Sequence, residues 1–460
     1  MSIRRLAFVF VVVCVAFAAR PAWKAGVAKI PITPRKSLWM QGFGARTKPS
    51  EGVLLDLHAK ALALEDRTGR PAVLVTADLA GFPSVVAKRI AAQVEKQYGL
   101  PRDRLILNGS HTHCGPVLAD PLRITYRARM SAAQWADVEQ YTRELEDKVV
   151  RVIGAALKDL RPARLSFGRT QTKFAVNRRV KTGAGIASFR PNPEGPVDHD
   201  VPFLRVDSER GDLRAVVFGY ACHTTSLTAD TYLFNGDYAG FAQEWLEARR
   251  PGAVALFVQG CGADIMAYPR GTVEHARKYG EMLASAVDAG LGGSPAPIAG
   301  PLRSAFKVFP VAFAPPPTRG ELEARLQDKD PDVRRHAEEL LKMLARDGRL
   351  PAEYPYPLQV WQFGKDLTLI AMSGEVVVDY ALRLREELSR DRVPSGRGAV
   401  WVAAYSNDNF AYIPSLRVLQ EGGYEGGEAM IGARLPGPFA PSIEETIVRK
   451  VHELVRSVKR

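Results

Sequence analysis

Along the chain, short continuous apolar runs alternate with longer segments in which apolar residues recur every three to four positions. The runs at 72–78, 104–108, 213–221, 253–258, 367–372 and 400–405 predict β-strands, and the segments 84–98, 133–157, 238–249, 272–290, 375–390 and 441–458 predict amphipathic helices. Strands and helices in alternation imply an α/β fold, expected here as a layered domain with a mixed sheet and helices on its faces. Between 318 and 354 the sequence is dense in charge with a helical period, which predicts an exposed helical insertion between two halves. The stretch 181–200 is rich in Gly and Pro and is expected as a surface loop bordering a pocket.

The first residues follow a different rule. Arg4 and Arg5 precede an apolar run from Leu6 to Ala19 that closes on Ala16-Phe17-Ala18, the pattern of a secretory signal peptide over 1–19. Its fourteen residues fall short of the roughly 20 that span a bilayer. Export to the periplasm or exterior is therefore expected, with 20–460 forming one catalytic domain. The whole chain is 46% hydrophobic and 25% charged, as in ordinary soluble proteins. A net charge of +13 raises the question of polyanionic partners. Lys and Arg are scattered and no zinc knuckle, RNP-like motif or aromatic-basic stripe occurs, which argues against nucleic acid and leaves peripheral membrane contact open. The oligomeric state is not readable.

Only eight histidines occur. His111 and His113 in NGSHTHCGP follow one expected strand, and His223 in YACHTTS follows another. In extended backbone, residues two apart point to one side, so His111 and His113 are expected to face a common space. Open α/β sheets gather their sites at the carboxyl ends of strands. Alone, an HxH near Gly and Pro is more often a hydrogen-bonded turn than a metal site. Glu375 in MSGE and Tyr412 in YSNDNFAY lie at further strand ends. For them the competing readings are a first-turn Glu favoured by the helix dipole and a packed loop tyrosine.

These segments, in this order, together with GVAKIPITP…MQGFGARTKPSEGV, SGEVV and GGYEGG, resemble the signature blocks of the neutral/alkaline non-lysosomal ceramidase family. The resemblance implies a zinc-dependent amidohydrolase that cleaves an N-acyl amide, ceramide or a related lipid-like substrate, with metal-activated water. Carried over position by position, one zinc per chain would be held by His111, His223, Glu375 and Tyr412. His113 would be the general acid and oxyanion partner, and Tyr424 would donate to the carbonyl oxygen. Arg178 would match an asparagine-arginine pair near the site, against the competing reading of an exposed surface arginine.

Two positions depart from the pattern. Met266 stands where the family has a serine, which favours water over a covalent nucleophile. The sequence ends after one amphipathic helix, where ceramide-cleaving members carry a further β-sandwich domain, so shorter-chain amides are the expected substrates. Beyond the leader three cysteines remain, Cys114, Cys222 and Cys261, and a Cys222–Cys261 bridge is the expected pairing. Two other functions compete: a metal-dependent phosphoesterase, which would want more carboxylates, and a secreted binding protein that keeps the fold without activity.

Overall fold

The computed structural model describes residues 23–183, 185–390 and 398–459. The leader expected over 1–19 lies outside the described residues. Strands Val254–Gln259, Leu213–Tyr220, Asp200–Ser208, Arg161–Gln171, Trp23–Pro31, His58–Asp66, Pro71–Ala77 and Leu105–Gly109 form, in that spatial order, one mixed sheet, with Ala296–Ile298 added beside Arg161–Gln171. The outermost pair at each end is parallel and the middle is antiparallel. A second sheet runs Leu302–Ala312, Glu353–Phe363, Leu367–Met372 and Ala399–Ala403.

Side-chain alternation along each strand decides the layering. Leu62, Leu64, Leu74 and Ile106 point to one side and meet Trp361, Phe363, Leu369 and Trp401 of the second sheet in a shared core. Their neighbours Ala61, Ala63, Val73, Val75 and Leu107 point the other way, under the helices Ser84–Tyr98 and Ala132–Lys158. Farther along the same sheet, Val216, Phe218 and Phe257 lie under Asp237–Arg249 and Val273–Gly292. Helices Val378–Arg390 and Ile443–Lys459 close the second sheet, the latter burying Ile443, Ile447, Val448, Val451, Leu454, Val455 and Val458. The result is a helix–sheet–sheet–helix stack in which strands are buried on both faces, so they read as continuous apolar runs. None of the described helices is long and apolar enough to cross a membrane.

The helices Arg319–Arg325 and Pro331–Asp347 leave and re-enter the second sheet between two strands that pair along their whole length, from Leu302↔Phe363 to Ala312↔Glu353. The loop expected at 181–200 is corrected: Gly185–Asn192 is a strand paired antiparallel with Ala175–Thr182. Its Gly and Pro had pointed to a loop, but its backbone finds partners across a hairpin and places Phe189 beside the cavity described below.

Candidate metal centre and cavity

Three strand ends meet at the site. Gln259 N–H donates to Asn108 Oδ1 at 3.0 Å, the Asn108 amide donates to the Ala404 carbonyl at 2.7 Å, and Ala404 N–H donates to the Gln259 carbonyl at 3.0 Å. This triangle joins the two edge strands of the large sheet to each other and to the second sheet. It brings the turn after Leu105–Gly109 against the turn after Leu213–Tyr220.

His111 and His113 do converge, though not through an extended backbone. The strand ends at Gly109 and His111 takes a left-handed conformation, φ +60°. Strain of this kind in a non-glycine residue is held only where the surroundings fix it. The site nitrogens of His111, His113 and His223 lie within 4.8 Å of one another, all three residues buried. His111 Nδ1 is 2.7 Å from the Ala80 carbonyl and His223 Nδ1 is 3.1 Å from that of Gly262. A carbonyl only accepts, so both rings carry their hydrogen on Nδ1 and turn an Nε2 lone pair inward. These Nε2 atoms stand 2.9 Å apart, and His113 Nε2 is 3.1 Å from that of His111. By contrast, His113 Nδ1 is buried with no hydrogen-bond partner among the described residues.

Glu375 pairs in parallel with Tyr412 in a two-stranded ladder, which points both side chains at the histidines. Glu375 Oε2 sits 3.2 Å from His111 Nε2 and 3.6 Å from His223 Nε2, buried and without a well-directed donor. The Tyr412 ring stacks parallel to His223, 3° between planes. Inward lone pairs and an unsatisfied carboxylate oxygen at one point repel unless a cation lies among them, and the buried trio His111, His113 and His223 is a group that could hold a metal ion.

Arg178 is 2% exposed, which removes the surface reading. Its Nε donates to Glu425 Oε1 at 2.8 Å and its Nη2 to the Tyr412 hydroxyl at 3.2 Å. Glu425 also binds Arg179 Nη1 at 2.6 Å. Sequence reasoning missed Glu425, although it adjoins Tyr424. It also passed over Arg46, whose guanidinium donates to the His113 carbonyl and holds that segment.

A cavity of about 360 Å³ opens on this cluster, walled by Phe43, Phe189, Tyr126, Tyr424 and Met430 and by Arg123 and Arg270. Gly42 (φ +110°) lets the 41–45 loop close on it: a Cβ there would fall 2.3 Å from His113 Cγ. Burial, chiefly, keeps the pKa of His113 and His223 well below the ordinary value; His111 and Arg46 add to it for His113, Arg178 and His111 for His223. Burial would raise that of Glu375, but His111 and then Arg123 reverse the effect. Burial pushes the Tyr424 hydroxyl up to about 12.

The expected Cys222–Cys261 bridge is corrected: all three cysteines are free thiols. Cys222 joins the core around Tyr220 and Tyr238, and Cys261 the one around Tyr356 and Tyr380.

Comparison with known proteins fits this architecture. The chain resembles the solved neutral ceramidase from Pseudomonas aeruginosa with a TM-score of 0.73 at 20% identity, over 95% of this chain and 74% of that one. A ceramidase solved in complex with C2 gives 0.74 at 19% identity, over 95% and 75%. In sequence it is 25% identical to the Pseudomonas aeruginosa neutral ceramidase over 249 residues, 52% of this chain and 36% of the relative. It is 23% identical to neutral ceramidase A of Dictyostelium discoideum over 237 residues, 50% and 32%. The aligned part thus spans about a third of these relatives' length. The profile described as neutral/alkaline non-lysosomal ceramidase, N-terminal, matches residues 23–269, the stretch that holds all three histidines of the cluster. More than half of the chain is thereby accounted for, and the chain belongs to the neutral/alkaline non-lysosomal ceramidase family.

Proposed function

We propose that this protein hydrolyses the amide bond of an N-acyl, lipid-like substrate, ceramide or a relative of it, using one zinc ion held by His111, His223, Glu375 and Tyr412. The observation that carries the reading is the convergence of two carbonyl-anchored histidines with the undonated Glu375 Oε2. A zinc ion there supplies Lewis acidity, acidifying water and polarising a carbonyl near neutral pH.

The chain's own residues do the rest. His113, neutral through burial and unanchored at Nδ1, takes a proton from water at Nε2 and delivers it to the departing nitrogen. Tyr424, whose hydroxyl stays protonated at working pH, donates to the amide oxygen as charge builds on it. Arg178, fixed by Glu425, holds the Tyr412 hydroxyl in place and keeps positive charge behind it. The basic-then-apolar pattern of Arg4, Arg5 and Leu6 to Ala19 supports export, and a lipid-like amide is the partner this reading implies.

The test pairs elemental analysis with turnover. Near one zinc per chain and cleavage of N-acyl amides are expected. Two metals with turnover of phosphate monoesters instead would replace this reading by the phosphoesterase one.

A further inference from the structure

The cavity carries more positive charge than cleavage of a neutral amide requires. Arg178 is matched by Glu425, but among the described residues neither Arg123 nor Arg270 has a carboxylate within 4.0 Å, though both face the cavity. Arg123 gives one hydrogen bond to the Asn409 carbonyl at 3.2 Å and its Nε is buried without a partner, but Glu375 and then Asp120 favour its charge, so Arg270 is the less compensated of the two. Arg270 is half-buried, and its charge is felt at Arg178 and His113. Asp237, the carboxylate nearest in effect, is already used. Its Oδ1 accepts from Ser226 and Tyr238 N–H and its Oδ2 from Leu227 N–H. Beside Arg270, a Gly271 N–H to Ser226 carbonyl bond of 2.7 Å ties its segment to the one bearing Thr225, a cavity residue whose hydroxyl is also unpartnered.

A substrate that fills the cavity displaces the water on these guanidinium groups. A neutral alkyl amide would leave Arg270 without a counter-charge where its water has been displaced, and an anion on the substrate would supply one. Resting on the amidase reading above, we propose that the preferred substrate is an N-acyl amide whose amine portion carries an anionic group, bound by Arg270 with Thr225. The reaction is ordinary hydrolysis: the C–N bond breaks, the acyl carbon gains hydroxyl from water, and the nitrogen gains the proton. Fatty acid and an amine bearing the anion leave.

The experiment compares N-dodecanoyl-serine, N-dodecanoyl-O-phosphoethanolamine, the neutral N-dodecanoyl-serinol and a dodecanoyl ceramide, on the full chain. At least one anionic substrate is expected to exceed the serinol amide about tenfold or more in kcat/KM, through KM, as removal of an ion-pair partner predicts. The better of the two identifies the anion as carboxylate or phosphate. Arg270→Gln should collapse the ratio of anionic to neutral substrate, and Arg270→Lys should recover part of it. Equal kcat/KM for neutral and anionic amides overturns the proposal while leaving the amidase intact, as does a preference that survives Arg270→Gln. Cleavage of no amide removes both. If Arg270→Gln melts early, Thr225→Val provides the same ratio.

Discussion

Gln259 donates its backbone N–H to Asn108 Oδ1 across 3.0 Å, joining the carboxyl ends of two strands that stand at opposite edges of the nine-stranded sheet. Asn108 is fully buried and its amide also reaches the Ala404 carbonyl and Ser406 Oγ. Replacing it by Ala strands a buried N–H and removes both of these donations, at about 1–3 kcal/mol for each group left unsatisfied. Asn108→Ala should therefore lower stability by about 2–4 kcal/mol in chemical denaturation. It should also reduce metal occupancy, because His111 follows this residue by three positions. A variant with wild-type metal content would mean the triangle supports only the fold.

Gly42 touches the site through what it lacks. Its φ of +110° and the 2.3 Å that a Cβ would leave to His113 Cγ both bar a side chain. Gly42→Ala should displace the His113 ring and cut kcat by about 10²-fold, the scale of a general acid–base contribution. Zinc content should stay near that of the parent. Loss of metal in step with activity would show that the displacement reaches His111.

Much of this arrangement was legible in the sequence where a single physical pattern acted alone. Runs such as 367–372 are buried on both faces and, Thr368 aside, are apolar, so the sequence predicts their strands where they are found. Strands Arg161–Gln171 and Asp200–Ser208 alternate buried and partly exposed positions and carry Arg, Asp and Pro, and they were not singled out. In the hairpin containing Gly185–Asn192, Gly and Pro outweigh a weak alternation, so the sequence there reads as a loop. At the site, His111, His113 and His223 announced themselves by type and by following strands. Glu425 did not, since the arginine it fixes lies 247 residues away and only the fold joins them. Arg123 and Arg270 look like any other of the 63 basic residues until the cavity wall is drawn.

The carbonyl anchors separate the histidines into two kinds. His223→Ala removes an oriented Nε2 and should abolish both zinc binding and turnover. His113→Ala should keep most of the metal and lose about 10²-fold or more in kcat. Zinc measured by mass spectrometry on both variants checks this, and equal metal loss would show that His113 is itself a ligand.

Asp408 gives a pH signature of the fold. Burial first, and Asp120 against the opposing Tyr354 hydrogen bond, raise its pKa to about 7 from 3.8. The native chain therefore binds an extra proton between about pH 4 and pH 7, so this group's contribution is fully present below the window and is lost as pH rises through it. Asp408→Asn lacks the titration. Across that range the wild type should lose on the order of 2–4 kcal/mol relative to the variant in urea unfolding. A flat difference, or one of opposite sign, would contradict the burial-driven shift.

The last prediction concerns the nucleophile. Met266 occupies the middle of the strand Ile265–Ala267, bridged to His223, with its side chain 2% exposed and outside the cavity wall. The wall itself contains neither serine nor cysteine, and burial raises all three thiol pKa values, Cys114 to about 12. The one hydroxyl of a threonine on the wall, Thr225 Oγ1, has no base bonded to it. A covalent route needs an activated nucleophile within reach of the carbonyl, and none of these groups qualifies. Rapid quenching during turnover followed by intact-mass measurement should show unmodified protein throughout. Met266→Ser should bring no gain in rate, since its hydroxyl would be buried behind His223. An adduct of acyl mass on the wild type would refute the water mechanism, and its position by peptide mapping would name the nucleophile.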